Sequence, residues 1–226
     1  MKMDIVANSG NDEFYTPLYA IKPIEKYIER GSVIWCPFDT EQSLFVKYFR
    51  EMGHTVIATH LESGVDFFNC DIPSCDYIIS NPPYSVKGKV FERLFEIGKP
   101  FAMLVGVVGL FESQHRFNLF KNNDFEIMYF NKRVSYFKDY ADEKPSLNPP
   151  FSSVYLCKDI LPKQIVFEEI DKWGDKMKML IVKFPNDAEY EQLKIDAHQH
   201  NCNLSEYIRY LVAQERKERE KWKTQC

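Results

Sequence analysis

Glycine is scarce in this chain: there are 9 in 226 residues, and none between Trp35 and Phe49. That gap excludes, in its usual form, the glycine-rich turn that lets a backbone approach a nucleotide closely. Long apolar runs are also missing. No stretch approaches the roughly 20 residues that a membrane-spanning helix needs. The N-terminus Met1-Lys2-Met3-Asp4 lacks a signal peptide's apolar region, so a cytoplasmic protein without a membrane partner is expected. The 6 cysteines (Cys36, Cys70, Cys75, Cys157, Cys202, Cys226) show no CxxC spacing, which argues for free thiols and against a zinc site or a disulfide framework. A basic excess is absent too. With 29 Lys+Arg against 33 Asp+Glu the net charge is -4, so any surface for nucleic acid must be a local cleft on an acidic body.

What is present suffices for a core. At 45% hydrophobic and 15% aromatic, the chain can bury one substantial domain and a small appendage. Short apolar runs predict strands at Ser32 to Cys36, His54 to Thr59, Asp76 to Ser80, Phe101 to Val108, Glu126 to Phe130 and Ser153 to Cys157. Helical spacing fills the intervals: Ala20 to Ile28, a segment from Asp39 to about Glu51, Val90 to Gly98, and one beginning near Phe117. Thr16 as N-cap with Pro17 in the first helical position, and Asp39 with Gln42 as a capping box, are the expected helix starts. Strands alternating with helices predict an α/β fold: a parallel, doubly wound, Rossmann-like sheet with helices on both faces.

The chain is organised around Asp76-Tyr77-Ile78-Ile79-Ser80-Asn81-Pro82-Pro83-Tyr84. Its first half reads as a buried strand, and its second half cannot continue that strand, because two prolines lack amide donors. The chain must leave the sheet at Asn81, where open α/β sheets place their ligand sites. The Asn side-chain oxygen and a proline carbonyl can both accept hydrogen bonds from one amino group, while Tyr84 stacks on the ring that carries it. That is a socket for a planar base with an exocyclic amine; the alternative is a proline-rich turn of no further consequence.

Asn81-Pro82-Pro83-Tyr84 behind a hydrophobic strand resembles the catalytic motif of the S-adenosylmethionine-dependent adenine-N(6) methyltransferases, in particular the phage-type enzymes. The resemblance implies a methyltransferase-like α/β domain over residues 1–172 that moves a methyl group from S-adenosylmethionine to adenine in nucleic acid, DNA ahead of RNA. It implies that Asn81 and the Pro82 carbonyl hold the amine and that Tyr84 stacks on a flipped-out base. For the cofactor it implies Tyr15 and Thr16 in the Phe-Tyr-Thr-Pro segment, Pro37 and Asp39 in a variant of the family's Asp-Pro-Phe loop, and Asp66 with Phe67 around the adenine ring. Glu62 is the candidate for the ribose hydroxyls, with His60 as its competitor. By position, Lys87 and Lys89 just past the motif are candidates for a substrate phosphate, the alternative being solvated loop lysines, and Lys132 and Arg133 among aromatics suit phosphate contact with base stacking, the alternative being an ordinary strand with a charged edge. Phe151 completes the set, in a second Asn-Pro-Pro-Phe that leads into a late strand. Residues 138–148 read as a mobile loop over the site.

The glycine-free loop keeps a second reading open, a non-catalytic binding protein of phage or mobile-element origin that engages nucleic acid or a host protein. Side chains filling the pocket at Pro37 to Ser43 would favour it. RNA or a protein amide also remains open as the methyl acceptor. Residues 177–226 form a strand, a helix, a turn and a helix, similar to ribbon-helix-helix repressors, with Leu193, Ala197, Leu204, Ile208 and Leu211 at the core spacing. One copy cannot bury these faces, so a homodimer through this tail is expected. Met179 and Ile181 offer little for reading a DNA groove.

Overall fold

The computed structural model describes residues 15–137, 151–171, 187–200, 207, 208, 211 and 214. The chain divides into two compact units, Met1–Lys176 and Met177–Cys226. The first is built on a seven-stranded sheet, comprising β1 (Val33–Cys36), β2 (Thr55–Ala58), β3 (Tyr77–Ser80), β4 (Phe101–Gly106), β5 (Glu126–Phe130), β6 (Ser153–Lys158) and β7 (Ile165–Glu168). Their order across the sheet is β2-β1-β3-β4-β6-β5-β7. β1 to β4 pair in parallel, as do β5 and β7, whereas β6 runs antiparallel to both β4 and β5.

The architecture is thus the expected Rossmann-like α/β sheet, with one correction: it is mixed, not wholly parallel. β6 needs no crossover helix to reach its place, because an antiparallel strand can return directly beside its predecessor. β7 was not foreseen. Its burial alternates, with Ile165 and Phe167 exposed and Val166 buried, as befits an edge strand covered on one face.

The sequence dictates both faces through the period of two. Ala102 and Leu104 of β4, with Tyr155 and Cys157 of β6, enter one core, and Phe101, Met103 and Val105 with Val154 and Leu156 enter the other. Helices α1 (Leu18–Glu25) and α2 (Leu44–Glu51) cover the first face, and α3 (Lys87–Ile97) and α4 (Gln114–Lys121) the second. Both α1 and α2 have 8 residues, too short to persist alone; burial of Phe45, Val46 and Phe49 holds α2 in place, each large side chain at about 1.5–3 kcal/mol.

Two helix starts differ from expectation. α1 has Pro17 at its N-cap and no side-chain cap, so Thr16 does not cap it; Pro23 lies within the helix, which closes at Glu25. α2 is capped by Ser43, whose Oγ accepts from the Phe45 amide at 3.2 Å, and not by an Asp39–Gln42 box. Asp39 is diverted by its bonds to serine hydroxyls, described below. α3 ends where the periodicity placed its stop, on Gly98 in the left-handed region at φ 72°.

In the second unit, α5 (Asp187–Gln199) is a helix, and residues 207, 208, 211 and 214 are helical. Ala197 and Tyr207 are buried, and the His200 and Tyr207 rings stack at 5.0 Å. The expected strand at 177–185, the residue Leu204 and the loop 138–148 lie outside the described residues. No helix among the described residues is long and apolar enough to cross a membrane, and no group of three or more potential metal ligands occurs among them. Cys36, Cys70, Cys75 and Cys157 are free thiols.

Candidate functional site

The sheet has one switch point. β1 sends its chain outward to β2, while β3 lies on β1's other side, so the loops leaving β1 and β3 diverge and open a crevice at the carboxyl ends of the strands. A cleft of about 780 Å³ occupies that place. It is walled by Pro37, Phe38, Asp39 and Thr40 after β1, by the 60–68 segment after β2, and by Asn81, Pro82 and Pro83 after β3. Tyr15 and Thr16 close it from the N-terminal side.

Asp39 lies at the centre of this arrangement. The backbone reaches it by a continued ladder, with the Thr59 amide donating to Cys36 and the Asp39 amide donating to Thr59. Its carboxylate accepts from the Ser43 hydroxyl and from the Ser80 hydroxyl at 2.5 Å, so one acid ties the loop after β1 to the N-cap of α2 and to the last residue of β3. It is 6% exposed. Burial pushes its carboxyl up to about 6, against the two hydroxyl bonds and the nearby His60, which hold it down.

The segment after β2 adds two further acids. His60 and Ser63 close a 3-10 turn, Leu61–Ser63, that carries Glu62 at the rim, and the Glu62 amide donates to His60 Nδ1 at 3.2 Å. Asp66 accepts from the Phe68 amide at 3.0 Å and from Asn69 Nδ2 at 2.5 Å, which fixes the turn that swings Phe67 inward. Phe67 is buried against Phe38 at 4.8 Å and Trp35 at 5.5 Å, with the Arg93 guanidinium 5.6 Å from its ring centre. Trp35 is held in turn by a 2.9 Å bond from its indole N–H to Thr59 Oγ1.

On the far side of Asn81-Pro82-Pro83 lies an aromatic corner. Tyr84 opens a 3-10 turn, Tyr84–Val86, and its ring meets Phe151 edge-on at 5.4 Å and 64°. Gly106, the last residue of β4, admits this pair: a Cβ there would stand 2.9 Å from two Phe151 ring atoms and 3.4 Å from Tyr84. Behind the pair, the Tyr136 hydroxyl donates to Ser153 Oγ at 2.8 Å; burial pushes it up to about 12, partly offset by hydrogen bonds with Ser153 and Tyr84. Tyr136 is anchored to the N-terminal segment through its neighbours, since Phe137 bridges Tyr15 and the Ser135 amide donates to the Tyr19 hydroxyl at 2.8 Å.

Asn81 and Pro82 thus stand between an acidic cleft and an aromatic corner. Tyr15, Thr16, Pro37, Asp39, Glu62, Asp66, Phe67, Asn81 and Pro82 all line the cleft, whereas Tyr84 and Phe151 form the corner. Lys87 lies one turn past Tyr84 and donates to the Val108 carbonyl at 2.5 Å; Lys89 is exposed. Lys132 and Arg133 are exposed just after β5 and do not line the cleft.

Among the lining residues missed from sequence are Thr40, Gln42 and Lys47. Gln42 accepts from Lys47 at 3.1 Å, and a lysine one helical turn past a serine cap is the signal that could have found it. The chemistry of the set is clear: three carboxylates and one ammonium line the cavity, beside the Asn81 amide, the Pro82 carbonyl and, in the adjoining corner, the Tyr84 ring. A zwitterion of net positive charge joined to a flat ring fits that cleft. The buried Thr16 Oγ1, which has no hydrogen-bond partner among the described residues, supplies a further polar contact at its wall.

No family model matches the chain, and no curated protein matches it. Among solved structures it is similar to a modification subunit assigned to a type I restriction enzyme from Vibrio vulnificus YJ016, at 13% identity and a TM-score of 0.46, over 86% of this chain and 54% of that one. It is also similar to the type I restriction-modification methyltransferase subunit from Streptococcus thermophilus, at 13% identity and a TM-score of 0.44, over 87% of this chain and 55% of that one. The chain therefore spans about half the length of these structures.

Proposed function

We propose that this chain is an S-adenosylmethionine-dependent methyltransferase acting on the exocyclic amine of adenine in nucleic acid, DNA ahead of RNA. The observation that carries the reading is the open cleft at the switch point. A loop without glycine leaves about 780 Å³ of cavity against the Asn81-Pro82-Pro83 turn, and its side chains wall the cleft without filling it. Side chains packed into that space would have favoured a non-catalytic binding protein.

In this reading Asp39 takes the cofactor's ammonium group, Glu62 the ribose hydroxyls, and Asp66 with Phe67 the adenine ring; Tyr15, Thr16 and Pro37 complete the wall. When bound, the cofactor supplies an electrophilic methyl group. Asn81 Oδ1 and the Pro82 carbonyl accept hydrogen bonds from the substrate amine, orient its lone pair toward the cleft and raise its electron density. Asn81 Oδ1 faces inward, so a turn of the terminal amide, a soft torsion, presents the acceptor to substrate. Tyr84, braced by Phe151, stacks on the flipped base, and Lys87, Lys89, Lys132 and Arg133 meet the strand's phosphates. The amine loses its proton to solvent after transfer, so no dedicated base is required.

The proposal extends to assembly: residues 177–226 pair two copies into a homodimer. In support, Ile195 and Leu211 are 50% and 40% exposed in the single chain, a cost that a second copy relieves.

Calorimetric titration with S-adenosylmethionine tests the reading. Binding in the micromolar range, about -8 kcal/mol, lost in Asp39→Ala and Asp66→Ala, is the expected result, followed by methyl transfer to adenine-containing oligonucleotides. A folded protein that binds nothing at millimolar cofactor rejects it.

A further inference from the structure

The arginines of the first unit show how this chain normally satisfies a guanidinium. Arg50 pairs with Glu41 and donates to the Val56 carbonyl, and Arg93 donates to the Cys70 carbonyl at 2.8 Å and lies over Phe67. Arg116 is different. It stands in the first turn of α4, half-buried, and no hydrogen bond or ion pair among the described residues engages its guanidinium; a sealed Nε without an acceptor is a feature that it shares with Arg93. Its side chain reaches back over the start of α3: Cδ, Cγ and Nη1 would stand 3.5, 3.6 and 3.7 Å from a Cβ at Gly88.

Lys87 is the neighbouring cation, its Nζ fixed at the Val108 carbonyl. A Cβ at Gly109 would lie 3.6 Å from Lys87 Nζ and 3.9 Å from Glu112 Oε2, so lysine and glutamate meet above that glycine. Glu112 can balance one positive charge, and there are two. Burial and then the Arg116 charge press the Lys87 ammonium below its usual range, with Glu112 opposing them. A like-charge pair raises the energy of the free protein, and an anion between the two groups relieves it. The location narrows the anion. The pair begins three residues past Tyr84, and exposed Val108 and Phe117 flank it with apolar surface suited to sugars and bases.

We infer that Arg116 and Lys87, across Gly88, form a seat for one backbone phosphate of the nucleic-acid strand whose base enters the Tyr84 corner. This rests on the proposal that Asn81 to Tyr84 receives a base. The guanidinium presents a planar fork to two phosphate oxygens, and the ammonium approaches as a point charge from the other side. Glycine at 88 leaves the room in which Arg116 lies over the helix start.

The test is fluorescence anisotropy of a short labelled adenine-containing oligonucleotide against the full chain across a salt series, with calorimetric cofactor binding run in parallel. Arg116→Gln and Arg116→Ala are expected to weaken binding roughly tenfold and to flatten the plot of log Kd against log salt by about one ion. Arg116→Lys should restore the slope but only part of the affinity, whereas Arg30→Ala, an exposed control, should change neither. Affinity and slope unchanged in both neutral variants, with melting temperatures showing them folded, overturn the seat, as does a wild-type chain that binds no oligonucleotide. A chain that shows the Arg116 dependence yet binds no cofactor keeps the seat and loses the methyltransferase reading. Cofactor binding without Arg116 dependence does the reverse.

Discussion

Asp39 has conflicting demands placed on it. A buried carboxyl whose folded value is raised to about 6 from 3.8 favours the folded state most when protonated, so its contribution is fully present below about pH 3.8 and is lost as pH rises through about 6. A carboxyl raised from 3.8 to about 6 corresponds to roughly 3 kcal/mol against folding at neutral pH. Asp39→Asn keeps the shape, and either serine hydroxyl can reverse to accept from the new amide. At pH 8 the variant is therefore expected to melt several degrees above the wild type while losing cofactor affinity, as read by differential scanning calorimetry and titration. A variant no more stable than the wild type would show that the ionised acid is not a burden. The proposed ammonium contact needs the ionised form, so wild-type affinity for S-adenosylmethionine should weaken as pH falls below about 6, approaching tenfold per unit.

At the scale of elements, two small residues set geometry for larger ones. Ser43 caps α2 and bonds Asp39 with the same hydroxyl. Ser43→Ala should cost about 1 kcal/mol as a lost cap, and should also move the pH midpoint of cofactor binding upward, because a bond that holds the carboxyl down disappears. Urea unfolding and the pH profile of titration separate the two effects. Gly106→Ala places a methyl 2.9 Å from Phe151 and must displace that ring. The expected result is a loss of about 1–2 kcal/mol from overpacking, with cofactor affinity intact and turnover on an oligonucleotide reduced; unchanged turnover would remove the Tyr84–Phe151 corner from the reaction.

These elements also show what can be read from one dimension. β1 to β6 announce themselves as short apolar runs, and the prolines at 82 and 83 show where β3 must end. β7 escaped notice because an edge strand covered on one face carries only two inward residues. The helix start at Asp39 was misplaced because that residue bonds Ser80, distant in sequence, and capping patterns register only near neighbours; Thr16 was misplaced by one position, since the N-cap falls on Pro17. Lys47 and Arg116 were invisible on similar grounds, as lone cations whose meaning depends on the wall or helix they reach toward. Asn81 was legible because its signal is local and rigid.

For the molecule as a whole, the exposed apolar side chains of the second unit make a claim about assembly. Leu211→Glu alters a side chain already 40% exposed in the single chain, so the protomer should fold normally. Sedimentation equilibrium of the full chain is expected to give a dimer for the wild type and a monomer for this variant; a wild-type monomer at high micromolar concentration rejects the pairing. Nothing in the charge of -4 argues for wide nucleic-acid contact, so the affinity carried by each individual cation should be correspondingly large.

The clasp between Tyr15 and Phe137, with Tyr19 on Ser135 across 116 residues, has a meaning in time as well as space. During synthesis the N-terminal wall of the cleft leaves the ribosome early, and the segment that holds it emerges only after β5. β1 to β4 can assemble their helices meanwhile, since their pairings are sequentially closer. The N-terminal wall of the cleft therefore cannot be clasped until Ser135 and Phe137 have been synthesised, and a chain cut short of them lacks that anchor.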